Sequence, residues 1–283
     1  MNGVAQNGMT LDDASFRAIA DFAYRESGLT LVAEKSSMIQ SRLRHRLRDL
    51  GLNSFPAYCA LIQSDEGKDE RRHLISALTT NVSHFFRENH HFDTLRDEVK
   101  SRLPGLRKGG EMRIWSAGCS NGQEAASIAI TLLELAPDIE GMNIRILATD
   151  IDPKVVSFAR KGLYPERLMG GVPDTLVNKY FERQTNADNE LVFQTRQNMR
   201  GMIQFNELNL LAQWPMRKRF DIIFCRNVVI YFDQSTQDSL WPRYNKALSP
   251  EGVLFLGHSE RIADPGAFGF ACTGPTTYIK RIS

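Results

Sequence analysis

Two glycines and an aspartate lie at positions where they could hold a nucleoside. Gly118 and Gly122 bracket a turn that follows an apolar run, and Glu124 begins a helical pattern directly afterwards. Asp150 follows a second apolar run, residues 144–147. Glycines let the backbone approach a ligand, and a carboxylate at the tip of a second strand can accept hydrogen bonds from both ribose hydroxyls. This pattern predicts a nucleoside site; the alternatives are a turn that only packs and an aspartate that caps a helix.

The loop and its distance from Asp150 indicate which nucleoside to expect. Asp150 lies about 28 residues past the loop, beyond the norm of about 20 in dinucleotide-binding folds. The loop also lacks the Gly-x-Gly-x-x-Gly spacing of pyrophosphate binders. Both departures disfavour a nicotinamide dehydrogenase and favour a nucleoside without a diphosphate. We therefore expect S-adenosylmethionine as the cofactor and S-adenosylhomocysteine as its product.

These residues must be positioned by a sheet. A strand, a glycine-containing loop and a helix in this order are typical of the opening unit of a doubly wound α/β sheet. Apolar runs predict its strands at residues 112–115, 144–147, 202–205, 220–225, 252–257 and 276–282. The predicted fold over residues 81–283 is thus a Rossmann-like α/β sheet. Turn residues at 186–189 and an apolar run at 191–195 predict a small inserted β subdomain over about residues 163–200.

Residues 10–80 show helical periodicity instead, and we predict a small all-helical N-terminal domain there. Its helices are predicted at about residues 11–27, 34–50, 55–64 and 69–78, with Thr10 as the first N-cap. The second helix has an apolar stripe formed by Met38, Ile39, Leu43, Leu47 and Leu50.

The other face of that second helix carries five basic residues within seven positions. They are Arg42, Arg44, His45, Arg46 and Arg48. A solvated helix face is one interpretation. The other is a docking face for an acidic partner, because arginine forks match carboxylates in geometry. The density of the row favours docking, and the absence of interleaved aromatic residues disfavours nucleic acid as the partner.

A polar and aromatic segment joins the two predicted domains. Phe85 and Phe86 are predicted to be buried anchors, and Asn81, Ser83 and Arg87 are spaced to share a face of one helical turn and its successor. The alternative is a helix cap followed by a surface arginine. A helix at residues 92–103 and a loop at 104–110 then lead into the first strand.

Composition argues against several classes of protein. The net charge of +2 is too near neutral for a general nucleic-acid binder. No apolar run approaches the roughly 20 residues of a membrane span, and the first residues lack a signal pattern. The four cysteines are scattered without a Cys-x-x-Cys pair, which disfavours a zinc site and favours a reducing compartment. We expect a cytoplasmic protein without a bound metal and without membrane insertion.

Several stretches together resemble one family, the chemotaxis receptor methyltransferases, CheR. They are Asn81-Val82-Ser83, Phe85-Phe86-Arg87, Gly118 to Ser127, Ala148 to Asp152, Asn209-Leu210-Leu211, Phe224 to Val228 and Ile230-Tyr231-Phe232. The likeness covers nearly the whole chain, in matching order. It implies a methyltransferase domain with a small β subdomain, preceded by a helical domain. It also implies methylation of glutamate side chains on methyl-accepting chemotaxis receptors, with S-adenosylmethionine as the donor.

The resemblance also assigns roles to residues. The cofactor-binding positions of the family fall on Asn81, Ser83, Arg87, Glu124, Asp150, Asn209, Leu210, Arg226 and Asn227. The receptor-docking residues would be Arg42, Arg46 and Arg48. One stretch departs from the family, whose loop usually reads Gly-Glu-Glu-Pro-Tyr-Ser, because this chain has Gln123, Ala125 and Ala126. The contact through Glu124 is retained, whereas local packing and cofactor affinity are open to change.

Two residues are candidates for contact with the methyl acceptor. A carboxylate acceptor is already an anion at neutral pH, so we expect positioning by Arg87 and a hydrogen bond from Tyr231 rather than a general base. Packing or cofactor contacts are the alternatives for these two side chains. A nucleic-acid methyltransferase is disfavoured because Asn227-Val228-Val229-Ile230 replaces its Asn-Pro-Pro-aromatic motif and Cys225 follows Phe224 rather than proline. A cofactor-binding adaptor without activity remains as a further alternative. We expect a monomer.

Overall fold

The first part of the chain forms four helices around a core of their own. The computed structural model describes residues 9–136 and 138–282. The helices are α1 (Asp13–Ser27), α2 (Ser36–Asp49), α3 (Phe55–Gln63) and α4 (Lys68–Leu78). Their apolar faces meet in a core that includes Ile19, Leu43, Tyr58 and Leu74. The four predicted helices are therefore confirmed, each within two residues of its predicted bounds.

The N-cap predicted for α1 is wrong. Asp12, rather than Thr10, caps the helix, and its Oδ1 accepts the Ser15 N–H at 2.9 Å. An aspartate satisfies one of the unpaired N–H groups of the first turn and also places negative charge at the positive end of the helix dipole. A threonine two residues earlier can offer neither effect at the same position.

The apolar stripe of α2 is narrower than predicted. Ile39, Leu43 and Leu47 are fully buried, whereas Met38 and Leu50 are 38% and 37% exposed. The buried residues follow one another at intervals of four and lie on one line along the helix. Met38 and Leu50 stand to the sides of that line, where α2 no longer contacts the domain core.

The described residues after α4 contain ten strands. They are β1 (Glu111–Ala117), β2 (Asn143–Asp150), β3 (Leu163–Pro165), β4 (Phe181–Thr185), β5 (Leu191–Thr195), β6 (Ile203–Glu207), β7 (Phe220–Cys225), β8 (Leu248–Leu256), β9 (Phe270–Gly274) and β10 (Thr277–Lys280). Seven of them form one sheet in the order β6-β2-β1-β7-β8-β10-β9. The first five in this order are parallel, and the last two are antiparallel to their neighbours.

This strand order confirms the doubly wound α/β fold. From β1 the chain builds outward through β2 and β6, and then returns to place β7 on the other side of β1. The direction of winding therefore changes between β1 and β7, and ligands of such sheets bind outside the carboxyl ends of the strands at that point.

Helices cover both faces of the large sheet. They are α5 (His90–Arg107), α6 (Gln123–Leu135), α7 (Pro153–Lys161), α9 (Gln197–Met202) and α10 (Gln234–Ala247), whereas α8 (Asp174–Tyr180) contacts β4. Successive residues of β1 point to opposite faces, as the pleat requires. Ile114 therefore joins a core with Ile128 of α6, whereas Trp115 joins a second core with Trp241 of α10.

The inserted β subdomain is also confirmed. Strands β3, β5 and β4 form a separate antiparallel sheet in that order. It lies between α7 and α9 in the chain, within the predicted range of residues 163–200. Tyr164 and Phe181 of this sheet pack against Phe85, with ring centroids 5.2 Å and 5.7 Å away. The subdomain therefore contacts residues 81–89, the linking segment between the helical domain and the sheet.

Three parts of the chain differ from the sequence-based expectations. The predicted loop at 104–110 is wrong at its start, because α5 continues through Pro104 to Arg107. Residues 81–89 are irregular rather than helical: Phe86 and Glu88 have φ angles of 53° and 56°, and the Phe86 N–H donates to Ser127 Oγ at 3.0 Å. Strand β9, which pairs with β10, was not predicted.

Two properties of the described residues bear on membranes and metals. None of the helices there combines the length and apolar character that crossing a lipid bilayer requires. Within the same residues, no group of three or more His, Cys, Asp or Glu side chains is arranged to hold a metal ion.

Candidate active site

A cleft that is partly open to solvent lies at the carboxyl ends of β1, β2 and β7. One wall comes from the helical part of the chain, through Ser27 and Leu29, and the others come from the sheet and the linking segment. All the residues predicted to bind cofactor or acceptor line this cleft. They are Asn81, Ser83, Arg87, Glu124, Asp150, Asn209, Leu210, Arg226, Asn227 and Tyr231.

The glycine loop after β1 forms the floor of the cleft. Gly118 has a φ of 93°, and a Cβ there would overlap Cγ2 of Val228, so the position requires glycine. The N–H groups of Gly118 and Cys119 both donate to the Thr149 carbonyl at 2.8 Å. These bonds tie the loop to the end of β2, directly beside Asp150.

Asp150 is held in place by two backbone donors. The Ser120 N–H donates to its Oδ2 at 2.8 Å, and the Asp152 N–H donates to its Oδ1 at 3.0 Å. Burial raises the pKa of Asp150, and these N–H donors act in the opposite direction. Each carboxylate oxygen keeps a lone pair for a further donor, so this side chain can accept hydrogen bonds from a ligand.

In the wall of the cleft, Arg226 joins two carboxylates, the buried Glu124 and the half-buried Glu88. Its Nη1 lies 3.0 Å from Glu124 Oε2 and its Nη2 lies 3.2 Å from Glu88 Oε2. Nη2 also donates to the Arg87 carbonyl, and the Arg226 side chain is only 1% exposed. Glu124 additionally accepts the Ser116 hydroxyl at 2.6 Å. Arg226 therefore anchors the linking segment to α6, the helix that follows the glycine loop.

The two carboxylates respond to this environment differently. Burial raises the pKa of Glu124, although Arg226 and Ser116 oppose the shift. Burial also acts to raise the pKa of Glu88, but the Arg226 charge and hydrogen bonds from His258 outweigh it and lower the value to about 2. Glu88 is therefore the firmly ionised partner of Arg226.

The loop after β7 is shaped by a residue that the sequence analysis missed. Asn227 has a φ of 57°, and its N–H donates to Glu260 Oε2 at 2.8 Å. Glu260 follows the end of β8 and is 3% exposed. The available signal was its position: like Asp150, it is a carboxylate placed shortly after an apolar parallel strand.

Asn209 and Leu210 bring the helical part of the chain to the cleft. Asn209 Nδ2 donates to the Glu26 carbonyl at 2.7 Å, and its Oδ1 accepts the Leu211 N–H at 2.9 Å. The Asn209 side chain thus links α1 to the sheet. The Leu210 N–H has no acceptor among residues 9–136 and 138–282, which makes it a donor that a ligand can use.

Three further predicted residues stand on the linking segment and at the rim of the cleft. Asn81 Nδ2 donates to Asp152 Oδ2 at 2.8 Å. Arg87 is 27% exposed, and its Nη1 donates to the Val82 carbonyl at 3.2 Å. The Tyr231 carbonyl accepts the Thr30 N–H at 2.9 Å, so the backbone of this tyrosine is fixed against the helical part.

The three predicted docking arginines do not line the cleft, and they differ in their surroundings. Arg46 forms a paired contact with Glu70, at 3.0 Å from Nε and 2.6 Å from Nη2. Arg42 donates to the carbonyls of Leu78 and Thr79, at the end of α4. Both side chains are thus bound within the helical part, and Arg48 is the exposed member of the three.

The three residues that depart from the usual family loop, Gln123, Ala125 and Ala126, do not line the cleft. Gln123 is fully buried, and its Nε2 donates to the Leu168 carbonyl at 2.9 Å. Ala125 and Ala126 belong to the core between α6 and the sheet. Their side chains therefore affect packing rather than direct contact with a ligand.

The lining suits an S-adenosyl nucleoside. Asp150 presents a carboxylate for hydroxyl groups, and the Ser120 hydroxyl beside it is buried without a partner in the described part of the chain. Gly118 lines the same space without a side chain, so the backbone of the loop is open to close approach by a ligand. Glu124 and Arg87 also line the cleft and supply charged groups suited to an amino acid moiety. The residues present therefore fit the expected cofactor.

Comparison with known proteins agrees with this assignment. The family described as "CheR methyltransferase, all-alpha domain" matches residues 14–79, and "CheR methyltransferase, SAM binding domain" matches residues 81–276. A probable chemotaxis protein methyltransferase of Rhizobium etli is 45% identical over 90% of this chain and 95% of its own length. The chemotaxis protein methyltransferase of Escherichia coli is 40% identical over 90% of this chain and 87% of its own. The chain therefore belongs to the CheR family of S-adenosylmethionine-dependent methyltransferases.

Proposed function

We propose that the protein transfers a methyl group from S-adenosylmethionine to glutamate side chains of methyl-accepting chemotaxis receptors. The observation that carries this proposal is the shared cleft. The side chains suited to the cofactor and the two candidates for the acceptor, Arg87 and Tyr231, line one partly open space. The names of the relatives in Rhizobium etli and Escherichia coli support the same role in chemotaxis.

This reaction needs positioning more than acid or base groups. A glutamate carboxylate has a pKa of about 4.3, so it is already the nucleophilic anion at neutral pH. S-adenosylmethionine supplies an activated methyl group on a sulfonium. The protein must bring the carboxylate to that group, orient it and remove water from it. Apolar side chains in the cleft wall, including Val228 and Phe232, support the removal of water.

Arg87 is the residue we propose to hold the acceptor. Its bond to the Val82 carbonyl occupies one arm of the guanidinium, and the fork can offer paired hydrogen bonds to a carboxylate. Its backbone is fixed because its carbonyl accepts Arg226. Tyr231, at the same rim, would donate one further hydrogen bond to the acceptor. Neither contact should be strong in the ground state, since uniform binding does not speed the reaction.

The helical domain over residues 10–80 is the proposed receptor-docking unit. Arg48 is exposed on α2, together with Arg44 and His45. Arg42 and Arg46 add positive charge along the same helix, although their hydrogen bonds are directed into the domain. An acidic surface of a receptor helical bundle would complement this charge and favour association. We further propose that the protein acts in the cytoplasm as a monomer.

The direct test is incubation with tritiated S-adenosylmethionine and receptor-enriched membranes. We expect label in the receptors that is released as methanol by mild base, because carboxyl methyl esters hydrolyse under those conditions. Label that resists base would indicate an amine or ring product and would contradict glutamate methylation. Absence of label, combined with binding of S-adenosylhomocysteine in calorimetry, would favour the cofactor-binding adaptor instead.

An Arg87→Ala variant tests the proposed contact with the acceptor. Loss of the fork should lower the methylation rate by about 100-fold, the scale expected when an acceptor is misplaced in a site. Arg96→Ala is the matched control, since Arg96 is an exposed arginine on α5 that pairs with Asp93. Both variants should unfold at the wild-type denaturant concentration. Methylation by Arg87→Ala near the wild-type rate would refute the role.

A further inference from the structure

The carboxylate of Glu260 collects four backbone donors. Oε2 accepts the N–H of Asn227 at 2.8 Å and of Gly257 at 2.6 Å. Oε1 accepts the N–H of Val228 at 2.8 Å and of Ile230 at 3.2 Å. Three of these donors belong to the loop after β7, and the fourth belongs to the turn after β8. One side chain therefore joins the ends of two neighbouring strands.

Charge and burial make this arrangement specific for a carboxylate. Glu260 is 3% exposed, and no salt bridge among the described residues involves it. Its negative charge is thus stabilised by peptide N–H groups, which only an acceptor can satisfy. Gly257 allows the close approach, because a Cβ there would stand 2.7 Å from the Asn227 nitrogen and 2.8 Å from Glu260 Oε2.

The loop held in this way carries the residues of the cleft. Asn227 is kept at a positive φ of 57°, an uncommon conformation for a residue with a side chain. Val228 packs against Gly118 on the floor of the cleft. Tyr231 follows Ile230, the last of the three donors, and reaches the rim. A shift of these N–H groups would therefore move contacts to the cofactor and to the acceptor together.

We propose that Glu260 is a positioning residue for methyl transfer, which acts by fixing the Asn227–Tyr231 loop through its four backbone hydrogen bonds. The part of this inference that concerns the acceptor rests on the proposed function. The part that concerns the cofactor does not, because binding of S-adenosylhomocysteine can be measured without any acceptor.

Glu260→Gln is the informative variant. In either orientation, the side-chain amide of the glutamine turns its NH₂ group toward two of the four backbone N–H groups. Two hydrogen bonds are then lost, because the NH₂ group and these N–H groups are all donors. We expect at least about a tenfold weaker affinity for S-adenosylhomocysteine and a lower kcat at saturating cofactor. Hydrogen exchange of the peptide containing Asn227 to Ile230 should become faster. Glu260→Asp keeps the carboxylate and should recover part of the affinity, of the kcat and of the protection.

Asp221→Asn is the matched control. Asp221 lies in β7 near the opposite end of the strand, where its Oδ2 accepts the Arg113 N–H at 2.9 Å. This variant should lower the melting temperature without changing cofactor affinity or kcat, after both are normalised to the fraction of sites that bind S-adenosylhomocysteine. The proposal is overturned if Glu260→Gln retains wild-type affinity and wild-type loop protection. If Glu260→Gln does not fold, Glu260→Asp decides: wild-type affinity, kcat and exchange in that variant would also overturn it.

Failure of this inference can be told apart from failure of the proposed function. If receptor glutamates are not the acceptor, the wild-type protein shows no base-labile label, while the calorimetry and exchange measurements still report on Glu260. If the acceptor is right and Glu260 has no positioning role, Glu260→Gln methylates receptors at the wild-type kcat.

Discussion

Replacing Arg226 by alanine should be the most disruptive single change in the wall of the cleft. The wild-type guanidinium lies 3.0 Å from Glu124 and 3.2 Å from Glu88, and it is almost fully buried. It also lies 5.7 Å from the centroid of the Phe92 ring. Alanine would remove the only cation that contacts both carboxylates within the described residues, and it would release the Arg87 carbonyl.

The loss in free energy of unfolding follows from the carboxylates that remain after the substitution. Removing one partner of a buried ion pair typically costs about 3–5 kcal/mol, because the remaining charge is no longer compensated. Here Glu124 would lose its one ion-pair partner within the described residues, whereas Glu88 would keep His258 Nδ1 at 3.0 Å and Arg87 Nε at 3.9 Å. Since whole domains are stable by only about 5–15 kcal/mol, the change should move the urea midpoint of Arg226→Ala far below that of the wild type.

The loss of stability caused by Arg226→Ala should depend on pH in a definite direction. Arg226 helps to lower the pKa of Glu88 to about 2, below the ordinary glutamate value. A depressed carboxyl pKa contributes stability that is present above about pH 4.5 and is lost as the pH falls toward 2. The penalty of Arg226→Ala should therefore be complete at pH 7 and should shrink below about pH 5, where the uncovered carboxyls take up protons.

Urea unfolding at several pH values is the assay, and Arg107→Ala is the control. Arg107 also makes a two-point contact with a carboxylate, 2.8 Å and 3.1 Å from the oxygens of Asp138, but both side chains are about half exposed. Its loss should hardly move the urea midpoint, because exposed ion pairs contribute little to stability. A penalty for Arg226→Ala as small as that of the control, or one that does not change between pH 7 and pH 4, would refute the reasoning.

Two further predictions concern the glycine loop and a buried histidine. Gly118→Ala should lower the free energy of unfolding in urea by about 1–3 kcal/mol and weaken binding of S-adenosylhomocysteine, because a φ of 93° strains alanine and the new Cβ meets Val228. Adding Val228→Ala should recover only the part of the loss that is due to overlap. Full wild-type stability of the single variant would contradict this account. His91 is fully buried, which together with the charge of Arg226 lowers its pKa to about 3. The unfolded chain therefore binds a proton that the folded protein rejects, so stability should fall by about 1.4 kcal/mol between pH 7.5 and 5.5, and this fall should be absent in His91→Gln. An equal fall in both proteins would disprove the assignment to His91.

Residues at the ends of strands could be predicted because their location follows from the period of the apolar pattern. Asp150 and Asn227 each stand just beyond an apolar run that marks a strand, whereas Glu124, in the first turn of α6, was assigned to the site only by the family resemblance. The carboxyl ends of parallel strands meet at one edge of a sheet, so the chain order alone brings such residues together. Their presence in a single cleft needed no knowledge of side-chain contacts.

The features that were missed depend on contacts made over long distances in the chain. Residues 81–89 have a spacing compatible with a helix, but their backbone bonds to Ser127 and Arg226 instead of to itself. The paired contact between Arg46 and Glu70 spans 24 positions, so a row of arginines in the sequence did not reveal which of them are already bound. Local periodicity carries no information about such partners.

The end of α1 supplies part of the wall around the cofactor cleft, and the Thr30 N–H and the Glu26 carbonyl bond to residues of the methyltransferase part. The affinity for the nucleoside therefore depends on the position of the helical domain relative to the sheet. Any partner that grips those helices and shifts α1 must alter nucleoside affinity, and by reciprocity the nucleoside alters the grip of that partner by the same factor. Binding of the methyl donor and binding of the partner are in this way thermodynamically coupled.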